Sequence, residues 1–434
     1  MLTFLGFAMV ITFMFLIMTK RLSALIALII IPILFALFGG FAPKIGPMML
    51  EGITKLAPTG VMLMFAILYF ALMIDSGLFD PAVRKILKLV KGDPLKVSVG
   101  TAVLALVVSL DGDGATTYMI CVAAMLPLYS RIGMSPRIMA GLIILAGGVM
   151  NMTPWGGPTA RAASALHVDP SDIFVPMIPA MAAGVVAILI IAYFYGKRER
   201  ARLGELHLIG DEMDHSEISV SQFPDARRPK LIWFNGLLTL VLMCTLIAGL
   251  LPPVLFMVAF SIAMIVNYPC LQMQKDRVAA HAGSVLSVVS LIFAAGIFTG
   301  ILSGTGMVDA MSKSLLAVIP DFLGPYLAVI TALVSMPFTF FMSNDAFYYG
   351  VLPVLSEAAS HYGITAVEMA RASIVGQPVH LLSPLVPSTY LLVALAGIEF
   401  GDHQRFTLKW AVLVCMCILV AALLLGTFPL FSTL

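Results

Sequence analysis

"SLDGDGATTYMI", Ser109–Ile120, sets two carboxylates, Asp111 and Asp113, among glycines and hydroxyls, with long apolar sequence on either side. At the middle of a bilayer each carboxylate costs about 2.5 kcal/mol or more, so the meaning of the stretch depends on whether its flanks are membrane. Composition decides that they are. Of 434 residues, 60% are hydrophobic and 11% charged, against about 25% charged in a soluble domain. A soluble chain of this length needs a wetted shell that these residues cannot supply. The apolar runs are long and unbroken, unlike the short alternating segments of an outer-membrane barrel. The chain therefore reads as an all-α polytopic membrane protein. A net charge of +2 gives no reason to expect a nucleic-acid partner. Five cysteines without a CxxC pair behave as small hydrophobes and say nothing about redox compartment.

A hydrocarbon core of about 30 Å needs about 20 apolar residues per helix. Ten spans are expected, near 2–18, 22–39, 57–76, 137–165, 173–195, 231–250, 253–267, 284–304, 366–396 and 409–430. Leu2–Met18 is counted as a span because it lacks a basic start and a small-residue cleavage site. Two further segments, about 97–128 and 326–357, are interrupted by polar tips at Asp111–Thr117 and Ser343–Asp345. Their arms are short for a crossing, which predicts re-entrant hairpins. With both termini outside, 20 of the 25 Lys and Arg fall on the inner side, as the positive-inside rule requires. Residues 196–230 form a polar cytoplasmic linker. "DPAVRKILKLVKG" (80–92) has Val83, Ile86, Leu87 and Val90 on one face and basic residues on the other, which predicts an interfacial helix.

The linker separates two halves, 1–195 and 231–434, that echo each other. "SGLFD" (76–80) parallels "TGMVD" (305–309), Asp113 parallels Asp345, and Thr153-Pro154 parallels Ser383-Pro384, all at offsets of 229–232. Five spans and one hairpin per half make the second half enter the membrane upside down, the inverted repeat of secondary transporters. The two tips then meet near the midplane.

At the first tip Gly112 and Gly114 allow a close approach, and helix starts aim N–H groups at an anion. Thr116 adds a hydroxyl, while Asp111 and Asp113 would hold cations or protons. Ser343, Asn344 and Asp345 make the second tip. "NMTPWGGPTARA" (151–162) and "HLLSPLVPST" (380–389) are broken by prolines, placing Asn151, Thr153, Gly156, Gly157, Ser383, Ser388 and Thr389 at two helix breaks. Arg161 either grips a substrate carboxylate or pairs with Asp111, Asp113 or Asp345. His380 suits proton coupling. Arg371 reads as structural, Asp75 as interfacial, and the other six histidines as solvated.

"LDGDGATTYMI", "NMTPWGGPTARAA", "SNDAFYYGVLP" and "GQPVHLLSPLVPSTYLLVALAGIEFGDHQRFTLKWA" resemble the citrate–divalent-metal:proton symporter family, over nearly the whole chain. The resemblance implies uptake of citrate as a metal complex, driven by protons across a bacterial plasma or inner membrane. It also implies a homodimer with a scaffold and an elevator-type transport domain. Related carriers have Ser-Asn-Thr at both tips. The acids here put sodium coupling in doubt and suit a cargo that brings its own cation, with Asp113 and Asp345 beside the metal of metal–citrate. No resident cofactor is expected, because Mg or Ca enters with the substrate. The alternatives are a dicarboxylate or gluconate-type carrier, a channel, or an intramembrane enzyme using Asp111 and Asp113 as an acid pair.

Overall fold

A computed structural model describes residues 1–90, 92–112, 114–203, 224–317, 320 and 322–432. Most of the linker and Asp113 therefore lie outside the described residues. Among those described, the chain is helical throughout. The first half runs α1 (Leu2–Met18), α2 (Ala24–Phe38), α3 (Ile45–Asp75), α4 (Asp80–Val90), α5 (Pro94–Val108), α6 (Gly114–Ile132), α7 (Pro136–Met150), α8 (Gly157–Leu166) and α9 (Pro170–Leu203). The second runs α10 (Ile232–Ile247), α11 (Pro252–Asn267), α12 (Leu271–Gly304), α13 (Met307–Leu316), α14 (Leu327–Phe341), a π-helical stretch Ala346–Val351, α15 (Leu352–Ser360), α16 (Ala366–Ser373), α17 (Gln377–His380), α18 (Pro387–Ala396) and α19 (Phe400–Leu424).

Local chemistry sets several of the starts. Ser23 accepts from the Ile26 amide, Asp93 caps α5 ahead of Pro94, and Thr365 with Glu368 forms a reciprocal capping box. Backbone conformation repeats between the halves. Left-handed residues follow corresponding helices at Lys20 and Gly249, Gly77 and Gly306, Gly133 and Gly363, and His167 and Gly397, each pair 229 or 230 residues apart. At Gly77 and Gly306 the long helices α3 and α12 turn into short α4 and α13, a positive φ that glycine adopts without strain.

Seven helical segments among the described residues are long and apolar enough to cross a bilayer: 42–75, 114–132, 170–203, 229–247, 271–304, 324–341 and 400–424. Others, such as α1, α2, α7 and α11, are apolar but shorter. Several helices outrun their sequence estimates. α3 begins at Ile45 and α12 at Leu271, because lysines and other polar residues continue the helix past the apolar core. α6 is 19 residues long, longer than the short hairpin arm expected from the sequence.

Two apolar cores organise the packing. One gathers α1–α3 and α10–α13 around Phe13, Tyr69, Phe256 and Phe298. The other gathers α4–α9 and α14–α19 around Tyr118, Tyr129, Phe347 and Tyr348, except that Trp155, Ala160, Ala165, Tyr349 and Val354 pack into the first. The first is called the wall unit here and the second the site unit. Within the wall unit α3 and α12 touch backbone to backbone: a Cβ on Gly52 would lie 1.9 Å from the Gly296 carbonyl. α4 turns Val83, Leu87 and Val90 inward, with Val90 against Gly100 of α5, so its apolar face meets protein. Two readings of histidine exposure need correction. Asp75, the last residue of α3, is buried, ion-paired to Arg277 at 3.1 Å and hydrogen-bonded to His281 at 2.7 Å. His281 is therefore no solvated side chain. His403 is fully buried in α19.

Candidate substrate site

Helix α5 ends at Val108 and α6 begins at Gly114, leaving the first tip between them, with Gly112 left-handed at φ +77°. In the second half α14 ends at Phe341, Ser343 Oγ accepts from the Ala346 amide, and the chain enters a π-helical stretch, a form frequent at functional sites. Between α7 and α8 residues 151–156 leave the helix, and residues 381–386 do so between α17 and α18. The prolines explain both interruptions, since each removes a backbone donor and disfavours helix before it. Each break is tied across by a threonine: Thr159 Oγ1 donates to the Met152 carbonyl at 3.0 Å, and Thr389 Oγ1 donates to that of Leu381 at 2.5 Å.

All four interruptions converge on one cavity of about 190 Å³. Gly112 and Gly114 reach it from the first tip, Asn344 from the second, Asn151 and Gly157 from the first break, and Leu381 and Ser388 from the second. Arg161 lies on its wall. The Arg161 Nε–H donates to Asp345 Oδ1 at 2.6 Å, an ion pair between the two halves with both side chains mostly buried. Asn151 Nδ2 donates to Gln377 Oε1 at 3.4 Å and Gln377 Nε2 to Tyr348 Oη at 2.9 Å, a second bridge between the halves. Ser109 Oγ, Thr153 Oγ1 and Asn344 Oδ1 are buried without a hydrogen-bond partner among the described residues. A buried polar atom left unpaired costs about 1–3 kcal/mol, and a bound ligand or water would relieve it. The N-termini of α6 and α8, at Gly114 and Gly157, also face the cavity and favour an anion.

A second chamber of about 700 Å³ adjoins the first. Gly112, Gly157 and Arg161 border both. Its far wall belongs to α3 and α12 and carries Asp75, His281 and Ser284. Thr116 faces this chamber.

Several candidate residues sit behind the cavity. His380 Nδ1 lies 2.7 Å from the Thr339 carbonyl, which can only accept, so Nδ1–H donates. Ser383 Oγ donates to the Phe340 carbonyl at 2.6 Å. Gly156 caps α8, a place where a Cβ would strike the Asn151 carbonyl. Arg371 donates to the carbonyls of Asp172 and Thr427. Asp113 falls outside the described residues, and for Asp111 only the backbone is described. Sequence reasoning missed Ser109, Tyr118, Gly147 and Leu381 on the cavity wall; all but Gly147 lie in stretches already singled out, but none carries a charge or a chain break that marks it as a site residue. It named Trp155 only as part of a break, yet the Trp155 Nε1–H donates to the Leu110 carbonyl of the first tip at 2.9 Å.

A family model described as "Citrate transporter" (CitMHS) matches residues 13–376. The chain belongs to the CitMHS citrate transporter family. Its relatives in Bacillus subtilis (strain 168) include a protein named citrate transporter, 62% identical over 98% of this chain and 99% of that protein. Another is named Mg(2+)/citrate complex secondary transporter, 56% identical over the same shares. Among solved structures the fold is similar to that of the Alcanivorax borkumensis YdaH transporter, with a TM-score of 0.56 at 16% identity over 91% of this chain and 90% of that one. It is also similar to Neisseria gonorrhoeae MtrF, with a TM-score of 0.59 at 15% identity over 89% and 84%. The CitMHS family and these relatives are transporters, not enzymes, so an acid pair doing hydrolysis is set aside. The cavity offers one guanidinium, two helix N-termini and the Ser109 hydroxyl, unpaired among the described residues, a set suited to carboxylates.

Proposed function

We propose that this chain imports citrate as a complex with a divalent metal ion, together with protons, by carrying the 190 Å³ cavity across the membrane. The observation that carries this reading is the charge of the site. Its one described guanidinium, Arg161, is already ion-paired to Asp345. Free citrate, with about three negative charges, would meet a neutral pair. Chelation of a divalent cation leaves about −1, a charge that a single arginine and two helix N-termini can balance. A cargo carboxylate would take Asp345's place on Arg161, and an accompanying proton would neutralise the displaced acid. Coupling at Asp111, Asp113 or His380 is the other form of the same idea.

The wall unit would serve as the scaffold and the site unit as the moving part, in a homodimer embedded in lipid. In this reading α5–α6 and α14–α15 are re-entrant hairpins of two inverted repeats. With basic loops inside, the 700 Å³ chamber opens toward the cytoplasm, in the plasma or inner membrane with both termini outside.

The test is uptake of labelled citrate into proteoliposomes under an imposed pH gradient, with a series of divalent metals. Uptake that rises with Mg²⁺ or Ca²⁺, stops with EDTA and follows the proton gradient supports the reading. Uptake indifferent to divalent metal overturns it in favour of a dicarboxylate or gluconate-type carrier.

A further inference from the structure

Asn151 ends a chain of hydrogen bonds whose direction is fixed at its far end. The Tyr348 hydroxyl lies 3.3 Å from the Ser373 carbonyl, which can only accept, so the single O–H of Tyr348 is donated there. Toward Gln377, 2.9 Å away, Tyr348 Oη is left to accept. Gln377 therefore turns Nε2 to the tyrosine, and its Oε1 falls at the other end, 3.4 Å from Asn151. An oxygen there takes only a donor, so Asn151 turns Nδ2 to Gln377. Flipping either amide would set two donors or two acceptors face to face. Tyr348, Ser373 and Gln377 are fully buried, where an unmade hydrogen bond is costly. The backbone fixes the meeting as well. α7 and α17 touch at Gly148 and Pro378, where a Cβ on the glycine would lie 2.5 Å from Pro378 Cα.

The other half repeats the framework and lacks the chain. Tyr118, Gly147 and Leu381 stand 230 residues from Tyr348, Gln377 and Asn151. Gly147 has no side chain to carry the relay, and the Leu381 side chain has no polar atom. Leu381 and Asn151 both line the cavity, so matching positions present one apolar and one polar group to the same space.

What Asn151 presents follows from the chain. Its Nδ2 is engaged by Gln377, and the atom left for the cavity is Oδ1. An amide oxygen accepts hydrogen bonds and ligates hard cations such as Mg²⁺ and Ca²⁺, and it repels a carboxylate oxygen. Carboxylates find donors instead at Arg161 and at the N-termini of α6 and α8. We propose that Asn151 Oδ1 receives the metal-bearing end of metal–citrate, as a ligand to the cation or as acceptor for one of its bound waters. Gln377 and Tyr348 are positioning residues that hold the amide in this sense. The cargo then lies with its metal toward Asn151 and a free carboxylate toward Arg161. This role for Asn151 depends on the cavity being the site of metal–citrate.

The test is citrate binding at saturating Mg²⁺ by the purified full chain, read by titration calorimetry. Asn151→Leu removes the oxygen at similar volume and should weaken binding by more than about fivefold. Asn151→Asp keeps an oxygen and adds a negative charge, so binding should match the parent or tighten. Were the position to meet a carboxylate, the same charge would weaken binding more than leucine does. A carboxylate has oxygen on both sides and needs no orienting. Gln377→Met should therefore weaken binding by more than about fivefold in the parent and by less than about threefold in the Asn151→Asp background. A purely structural role of Gln377 would cost the same in both. Tyr348→Phe should reproduce this pattern, which covers a methionine variant that folds poorly. An Asn151→Asp variant weaker than the parent, an Asn151→Leu variant that binds like the parent, or equal losses in the two backgrounds would overturn the role. If the parent binds citrate as well with EDTA as with Mg²⁺, the proposed function falls. If binding needs Mg²⁺ and the variants behave in one of those three ways, only the role of Asn151 falls.

Discussion

Residues 151–156 and 381–386 interrupt their helices at positions 230 apart, and each break is tied across by a threonine, Thr159 or Thr389. Beyond that framework the two breaks part. The first carries Trp155, Gly157 and Arg161, where the second has Leu385, Pro387 and Leu391. Thr153 of the first break is buried with no hydrogen-bond partner among the described residues, whereas the second break uses His380 and Ser383 to hold its tip. Repetition thus supplies a helix break twice, and only the first carries an arginine. Its counter-charge, Asp345, comes from the tip of the other half. A symmetric site with two arginines would suit bare citrate. The single, already paired arginine suits a cargo whose charge has been mostly cancelled by metal.

The comparison can be broken most decisively at position 161. Arg161→Ala removes the charge, and loss of one partner of a buried charged pair costs about 2–5 kcal/mol. Citrate binding in the presence of Mg²⁺ should weaken by roughly 30-fold or more in a titration of purified protein. Leu391→Ala, at the matching position, should change it by less than about threefold. Equal losses would mean that the first break holds no special place.

Gly157→Ala sharpens the same contrast without touching the charge. A Cβ there would lie 2.7 Å from Arg161 Nη1 and would push the guanidinium off its position. Misplacement of a binding group by an ångström can cost about 10²-fold, so an uptake rate lower by about 10- to 100-fold is expected. Position 387, its counterpart, already carries a proline.

Stability should show the reverse asymmetry. Ser383→Ala strips a 2.6 Å bond from the Phe340 carbonyl and should lower stability by about 1–3 kcal/mol, read as a fall in melting temperature in detergent. Thr153→Val breaks no bond among the described residues and should stay within about 0.5 kcal/mol. The smallest expected difference is between Thr159→Ala and Thr389→Ala. Each loses one backbone tie, worth about 1 kcal/mol, and the two melting temperatures should fall nearly equally.

Much of this site was legible before any coordinates. Acids, glycines and prolines inside apolar sequence are costly, so DGDG, SND and the two proline-broken stretches marked themselves. Arg161 stood out for the same reason, although its partner could not be chosen among three acids. Other features left no local signal. Asp75 finds Arg277 and His281 more than 200 residues away, and neither helix carries a pattern that predicts the meeting. Gly147 faces the cavity from a helix whose sequence looks like ordinary packing, and nothing distinguishes Ser109 or Tyr118 from their neighbours in the first stretch. Ser383 and Thr389 have the right residue types for ligands, yet their hydroxyls are spent on backbone carbonyls. Only three-dimensional placement separates a hydroxyl that faces the cavity from one that ties the backbone behind it.

The central claim is that all four interruptions surround one cargo site. Ser388 lies on its wall at the start of α18, beside Gly114. A cysteine placed there, in the chain lacking its native cysteines, should react with a small membrane-permeant maleimide. Mg²⁺ and citrate together should protect it, while either alone should protect far less. Labelling that is unchanged by Mg²⁺ with citrate, in protein shown to bind them, would put the cargo elsewhere and contradict the account.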